Sequence, residues 1–232
     1  MLKSTDFSSP YSHTMDSNLL TDCTATVVAR AADQAGNFTD SAVRTVAIDN
    51  APQTTITVGP ATLVKTTSAT FNFAANQAGS TFECKLDAGA YAACTSPTTI
   101  TGLSSAAHTY YVRAKDAGGQ TDATPASCAW TVDAVAPAAS LTAPAANAVL
   151  TGLVNLTATA TDNYRMPKVD FFVGTAVVGS VTASPYAKSW NSALVADGAH
   201  VLKARATDAA GNQTLSAGVS VTVDNAPNTT IL

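Results

Sequence analysis

The sequence predicts an all-β protein built from repeated β-sandwiches, and two observations carry that prediction. The first is a five-residue motif, called the phrase below, that occurs three times: as "DQAGN" at 33–37, "DAGGQ" at 116–120 and "DAAGN" at 208–212. The second is an alternation of apolar and polar residues in the segments around each phrase. Alternation with a period of two is typical of a strand that has one face in a core and the other in solvent.

The repeated phrases belong to longer repeats. A shift of 175 residues (184 minus 9) places residues 9–56 over residues 184–231 without a gap, and "IDNAPQTTI" then lies over "VDNAPNTTI". Self-similarity at a fixed period indicates an array of one structural unit, and units of about 85 to 90 residues are too long for solenoid repeats. We therefore expect complete domains. The predicted boundaries are 1–50 for the C-terminal part of one repeat, 51–133 and 134–224 for two whole repeats, and 225–232 for the start of a further one.

Each repeat has roughly seven alternating runs separated by Gly, Asp, Asn and Pro, and no stretch has a helical period. About seven short strands in fewer than 100 residues is typical of an immunoglobulin-like β-sandwich with Greek-key connections. The phrase itself is predicted to be the hairpin between the last two strands, where Gly supplies a positive φ and Asp bonds its own backbone. The predicted core-facing residues are Phe82, Cys84, Leu86, Tyr110, Val112, Ala114, Val169, Phe171, Val173, Leu202, Ala204 and Ala206.

Two stretches resemble known families. "VDFFVGTAVVGSVTASPYAKSW" resembles the bacterial Ig-like domains that are strung along large secreted and cell-surface proteins. "TFECKLDAGAYAACTSPTTITGL" is similar to a sister type that carries a Cys pair. The resemblance implies an extracellular, non-catalytic module used in stalks, in adhesins or as a spacer in exported enzymes.

Composition limits the possible functions. Charged residues are 12% of the chain, about half the usual share, so Thr, Ser, Asn and Gln must form much of the surface, which favours an extracellular protein. The net charge of −4 comes without a basic cluster, which excludes a nucleic-acid surface. No apolar run is long enough to span a membrane. The start, "MLKSTDFSSPYSH", lacks the apolar segment of a signal peptide, so we expect any export signal outside this sequence.

The cysteines predict one disulfide. Cys84 and Cys94 flank "KLDAGAYAA", and a three-residue loop at 88–90 would place them opposite each other with Cα atoms about 4.5 to 5.5 Å apart, within bonding range. We expect a bridge and an oxidising compartment, with two buried thiols as the alternative. Cys23, expected in an exposed turn, and Cys128 have no evident partner. CxxC spacing is absent, so zinc is not expected.

The histidines argue against catalysis. His108 and His200 occupy the same position of two repeats, where the first repeat has Ala25. A catalytic histidine would not be copied in each domain and dropped in one, so a structural role is expected. The sequence contains no recognisable catalytic motif. We therefore expect no enzymatic activity and no required cofactor.

The two tryptophans could form an exposed aromatic platform for sugars. Trp190, however, aligns with Met15 at the same repeat position. A position that holds an apolar residue in two repeats is more often part of a core. We therefore expect core positions, with an exposed sugar platform as the alternative.

Acidic and amide residues are predicted to meet at the domain junctions. In a seven-stranded sandwich the incoming linker, the turn after the second strand and the last hairpin lie at one end. This gathers two sets of oxygen-bearing side chains: Asp133, Asp162, Asn163 and Asp208 at the second junction, and Asp49, Asn50, Asn76 and Asp116 at the first. Calcium takes six to eight oxygen ligands of these types. Calcium at the junctions is therefore an expectation, with turn chemistry alone as the alternative.

The linkers between repeats are short, and Pro52 and Pro137 fix φ within them. Neighbouring domains are then expected to sit end to end. We expect a stalk or adhesin segment of a bacterial surface or secreted protein, whose partners are neighbouring Ig-like domains and a possible surface or glycan ligand. The alternative is a carbohydrate- or ligand-binding accessory module of a secreted enzyme.

Overall fold

The first repeat contributes one strand pair and one hairpin to the computed structural model, which describes residues 11–17, 23–165 and 168–225. Strand β1 pairs antiparallel with β4, and β2 pairs antiparallel with β3. Val27 and Val46 on this pair are 46% and 44% exposed, whereas Leu202 and Val221, 175 positions later, are 0% and 2% exposed. The strands are β1 (Cys23–Val27), β2 (Arg30–Ala32), β3 (Phe38–Asp40) and β4 (Arg44–Ile48).

The middle repeat forms two sheets, as its alternating pattern predicts. One has three strands in the order β10-β7-β5, and the other has five in the order β6-β12-β11-β8-β9. Strand β6 pairs parallel with β12. The strands are β5 (Thr54–Val58), β6 (Leu63–Val64), β7 (Ser68–Ala75), β8 (Thr81–Leu86), β9 (Ala92–Cys94), β10 (Thr98–Thr101), β11 (Ala107–Lys115) and β12 (Ala126–Val132).

The third repeat has the same strand order. A three-stranded sheet is ordered β13-β15-β18, and the second sheet is ordered β14-β21-β19-β16-β17 with β20 paired to β19. The first strand is split between the sheets, because β13 pairs antiparallel with β15 while β14 pairs parallel with β21. The strands are β13 (Ala138–Ala143), β14 (Val149–Leu150), β15 (Leu153–Thr161), β16 (Lys168–Val173), β17 (Ala176–Val181), β18 (Tyr186–Asn191), β19 (Gly198–Thr207), β20 (Gln213–Leu215) and β21 (Val219–Val223). A short 3₁₀ helix spans Ser192–Leu194.

Both sheets of the third repeat bury the faces that alternation predicts. Phe171, Leu202 and Ala204 are fully buried, and Trp190 lies in the same core. This confirms the all-β, immunoglobulin-like sandwich. Asp170 is the exception, because its polar position predicts an exposed side chain and it is only 2% exposed.

The chain divides into two units. One comprises the segments up to Thr57, Phe73–Ser96 and Tyr111–Ser127, and the other comprises Val58–Asn72, Pro97–Tyr110 and the chain from Cys128 onward. The acidic and amide residues predicted at the first domain junction all lie in the first of these units. Those predicted at the second junction all lie in the second unit. The predicted start of a further repeat, residues 225–232, lies outside the described residues except for Asn225. None of the helices in the described ranges is long and apolar enough to cross a membrane.

Candidate metal centre

The repeated five-residue phrase is a hairpin in all three repeats. In the third, the amide of Asp208 donates to the carbonyl of Asn212 at 3.1 Å, and the amide of Asn212 donates back to the Asp208 Oδ1 at 2.8 Å. Gly211 has a φ of +89°, which residues with a Cβ rarely adopt. The same bonds recur at 33–37 and 116–120. The sequence phrase therefore encodes one turn geometry, with an aspartate side chain fixed inside it.

The linker aspartate lies directly after β12. The amide of Asp133 donates to the carbonyl of Val64 at 2.9 Å, and its side chain is 1% exposed. The Asp133 Oδ1 accepts from the amide of Val135 and from the Asn163 Nδ2, both at 3.3 Å. The Oδ2 atom is buried and has no hydrogen-bond partner among the described residues.

The third aspartate follows β15. The Asp162 Oδ2 accepts from the amides of Tyr164 at 3.1 Å and Arg165 at 3.3 Å. This local turn fixes the carboxylate, while its Oδ1 atom is buried without a hydrogen-bond partner in the part of the chain that the structure describes.

These three carboxylates converge. One oxygen from each of Asp133, Asp162 and Asp208 lies within 4.8 Å of the other two. None of the ion pairs among the described residues neutralises them. A lysine reaches the hairpin beside them, since the Lys65 Nζ donates to the carbonyl of Gly211 at 3.4 Å. Three carboxylate groups thus share a small, largely buried volume. Asn163 contacts one of them, Asp133.

The first junction has a different composition. Asp49 and Asp116 both face Gly118, where an added Cβ would lie 2.8 Å from the Asp49 Oδ2 and 3.4 Å from the Asp116 Oδ1. Asn76 takes the place of Asp162 in the turn after the second strand, and its Oδ1 accepts from the amide of Gln53 at 2.8 Å. The structure therefore brings two of the predicted carboxylates together here, where the second junction has three.

Asn50 belongs to the same first-junction set but contributes differently. Its main-chain carbonyl accepts from the Gln77 Nε2 at 2.6 Å. Gln120 lies at the hairpin position equivalent to Asn212, and its Nε2 donates to the carbonyl of Asp49 at 2.9 Å. Amide side chains thus occupy this junction.

An amide that ties the hairpin to the linker was not predicted from the sequence. The Asn212 Nδ2 donates to the carbonyl of Asp133 at 2.7 Å and to that of Val135 at 3.3 Å. The signal was present, since the fifth residue of the phrase is Asn37, Gln120 or Asn212, always a side-chain amide.

Cys84 and Cys94 form the expected disulfide, with Cα atoms 5.8 Å apart. The predicted loop at 88–90 is wrong, because the amide of Gly89 donates to the carbonyl of Leu86 at 2.9 Å and closes the turn earlier. Cys84 therefore pairs with Ala92 in the strand register. The two cysteines are diagonal neighbours on one face instead of directly opposed.

The other two cysteines are free thiols. Cys23 is exposed as predicted, but it begins strand β1 instead of lying in a turn. Cys128 is half-buried, and burial raises the pKa of its thiol.

The histidines have the structural role that was expected. The His108 Nε2 donates to the carbonyl of Ser104 at 3.0 Å, and the His200 Nε2 donates to that of Ala196 at 2.7 Å. Each ring therefore braces the turn that precedes its strand, four residues back along the chain.

Both tryptophans lie in the core. Trp130 and Trp190 are 3% and 4% exposed, and Trp130 packs against Phe71 with ring centroids 5.3 Å apart. The interpretation of these side chains as an exposed sugar platform is therefore wrong.

Strands β13 to β18 and most of β19 lie within residues 137–204, and this segment matches the family model of the bacterial Ig domain. Over this segment the chain is similar to bacterial Ig domains. The matched domain includes Asp162, whereas Asp133 precedes it and Asp208 follows it. No curated protein matches the chain.

The chain is similar to several solved structures. A marsupial T cell receptor is 9% identical with a TM-score of 0.54, and the alignment covers 78% of this chain and 75% of that chain, which shows the immunoglobulin-like fold alone. Fibronectin(III)-like modules of Clostridium thermocellum CbhA are 23% identical over 75% of this chain and 94% of that chain, with a TM-score of 0.44. A structure from a 1.5-MDa bacterial ice-binding adhesin is 18% identical over 89% of this chain and 76% of that chain, with a TM-score of 0.38.

Proposed function

We propose that this chain is a non-catalytic structural segment of a bacterial surface or secreted protein, where it serves as part of a stalk or adhesin. The observation that best supports this is the linker between the second and third repeats, which is hydrogen-bonded on both sides. Towards the second repeat, the amide of Asp133 donates to the carbonyl of Val64, and the amide of Ala134 donates to the Ser105 Oγ at 2.9 Å.

Towards the third repeat, the Asn212 side chain holds the carbonyls of Asp133 and Val135. Pro137 at the end of the linker is fully buried, and its ring fixes φ. A linker that is hydrogen-bonded on both sides and has a buried residue at each end, Asp133 and Pro137, resists bending, which suits a module that has to keep its ends apart. A flexible tether has no need of such a linker.

The proposed physical role of each repeat is to add length to the stalk. Strand β19 has ten residues, and ten residues of extended strand span about 33 Å. The proposed repeats, 51–133 and 134–224 after a partial repeat in 1–50, would therefore add length in steps of that size. Neighbouring Ig-like domains of the same parent chain are the proposed partners.

An extracellular location is part of this proposal. Charged residues are only 12% of the sequence, and the structure contains the Cys84–Cys94 disulfide. Disulfides persist in oxidising environments outside the cytosol, so both features support a secreted or surface-exposed chain.

Single-molecule force extension of the full chain tests the mechanical function. Each whole repeat of about 90 residues should unfold in one step and release roughly 300 Å of chain. The step of the middle repeat should be shorter by roughly 35 Å in the oxidised chain than in the reduced chain, because the disulfide closes a separation of ten residues. Smooth extension without discrete steps would exclude a load-bearing role.

The accessory-module alternative predicts a ligand. A glycan array probed with the full chain should give no saturable signal under the structural proposal, which agrees with the burial of Trp130 and Trp190. Saturable binding to a defined glycan would replace the structural function with carbohydrate recognition.

A further inference from the structure

We propose that the cluster of Asp133, Asp162 and Asp208 is a calcium site, and that the first junction, built on Asp49 and Asp116, is not one. The two junctions occupy equivalent positions of the repeat but differ in charge. The second gathers three carboxylates within 4.8 Å, and the first gathers two.

The unpartnered oxygens point to a cation. The Asp133 side chain is 1% exposed, and its Oδ2 has no hydrogen-bond partner in the described ranges. The Oδ1 of Asp162 is likewise buried and unpartnered there. Buried charges in proteins are paired or coordinate a metal. A divalent cation between these two atoms and Asp208 would satisfy both.

The carboxylates are also held in place before any ion arrives. Asp208 accepts from the amide of Asn212 at 2.8 Å and from its Nδ2 at 2.7 Å. Asp162 is held through its Oδ2 by the amide of Tyr164. Because the turns fix one side of these carboxylates, little ordering entropy opposes binding.

Oxygen-only ligands select the metal. Carboxylate and carbonyl oxygens suit calcium and magnesium, whereas zinc and copper prefer nitrogen and sulfur. Calcium takes six to eight oxygens in a flexible arrangement, and magnesium demands a near-ideal octahedron and retains its waters. Asn163 lies against this cluster, since its Nδ2 contacts the Asp133 Oδ1 at 3.3 Å, and its side chain also carries an amide oxygen that accepts. A site assembled from a linker and two turns fits calcium better.

The first junction has more hydrogen bonds and one carboxylate fewer, and the Asp116 Oδ2 is its one buried oxygen without a hydrogen-bond partner among the described residues. Asn76 stands where the third repeat has Asp162, and its Oδ1 is taken by the amide of Gln53. Gln77 donates to the carbonyl of Asn50. With Asn76 in place of an aspartate, the first junction has one charged ligand fewer. Gln77 adds a hydrogen bond that holds the linker carbonyl without a metal ion.

This inference deepens the proposed structural function, since it would make one junction of a stalk calcium-dependent. Calcium binding and the mechanical function can be tested separately. Calcium binding is measured on the chain in solution without load, so its failure would leave the force-extension result untouched.

An NMR titration of the calcium-free full chain with CaCl₂ tests the site residue by residue. The amides of Ala134, Asn163 and Asn212 should shift along one saturation curve, with a Kd of about 10⁻⁴ to 10⁻³ M, the range of extracellular modules. The amides of Gln77 and Gln120 should not move. MgCl₂ should give a curve at least tenfold weaker.

Two isosteric variants carry the test. Asp162→Asn and Asp133→Asn should each weaken binding at least tenfold, and each spectrum without calcium reports whether that variant folds. Asp49→Asn is the matched control and should bind calcium as the unaltered chain does. Absence of saturable shifts at the second junction, equal binding of magnesium, or equal saturation at Gln77 would overturn the proposal.

Discussion

The side-chain amide of Asn212 donates to the main-chain carbonyl of Asp133 at 2.7 Å, although the two residues are 79 positions apart. Gln120 makes the equivalent bond to Asp49, 71 positions apart, at 2.9 Å. The repeated phrase thus holds the linker as well as turning the chain. That second role accounts for the amide at its fifth position.

Replacement of that amide should loosen the linker. In Asn212→Ala the carbonyls of Asp133 and Val135 lose a donor, and we expect a loss of about 1 to 2 kcal/mol of local stability. Hydrogen exchange of the peptide covering residues 133–137 should then be about tenfold faster or more. Asn37→Ala is the control, because among the described residues the Asn37 Nδ2 bonds within its own hairpin, to Asp33, and exchange at 133–137 should not change. Unaltered exchange in Asn212→Ala would contradict the clamp.

Reduction of the Cys84–Cys94 bridge should destabilise the middle repeat. Closure of a loop of ten residues contributes about 2 to 3 kcal/mol in the chain-entropy model. Urea unfolding with and without a reducing agent, followed by the fluorescence of Trp130, measures the difference. Cys23→Ser serves as the control, since that thiol is exposed and free. Equal unfolding midpoints for the oxidised and reduced chain would show that the bridge contributes nothing.

Asp170 should be far more sensitive to substitution than other charged residues. Its side chain is 3% exposed and contacts Arg205 at 2.9 Å and Lys168 at 3.0 Å. Asp170→Asn leaves both cations without a charge partner, and we expect a loss of about 2 kcal/mol from the third repeat. Glu83→Gln breaks the half-exposed pair with Arg113 and should cost less than about 1 kcal/mol. Chemical denaturation of both variants makes the comparison, and equal losses would refute it.

The same carboxylate predicts acid sensitivity. Burial pushes the pKa of Asp170 upward, but hydrogen bonds from Ser180, Arg205 and Lys168 outweigh it, so the pKa lies below its ordinary value. A carboxyl group with a lowered folded pKa contributes stability above its unfolded pKa, about 3.9, and loses it as the pH falls through the folded pKa. The melting temperature of the third repeat should therefore fall below about pH 4. In Asp170→Asn this part of the pH dependence should disappear, and a profile identical to that of the unaltered chain would contradict the assignment.

The sequence alone determined which side of each strand faces the core. Phe171, Leu202 and Val112 were predicted inward and are fully buried, because the two-residue period of a strand is a local property of the chain. The hairpins follow for the same reason, since the aspartate, the glycine and their bonds lie within five consecutive residues.

Local patterns also determined which residues could meet at the junctions, once the number of strands fixed the fold. The order of linker, turn and hairpin in the chain was sufficient to list Asp133, Asp162 and Asp208 together. It was equally sufficient to list Asp49, Asn76 and Asp116, which shows one carboxylate fewer at the first junction. The sequence did not show which of these oxygens find hydrogen-bond partners.

Only the tertiary structure decided how neighbouring strands use their side chains. Asp170 is buried because Arg205 and Ser180 on adjacent strands cover it, and a polar residue on an outward face gives no sign of that. Cys84 lies opposite Ala92 instead of Cys94 because the turn at Leu86 shifts the register. Contacts of this kind depend on pairs of residues far apart in the sequence or on the register of a turn. Their geometry is fixed only when the strands pack, and so the amides that fill the first junction and the unpartnered oxygens of the second became visible only in the folded chain.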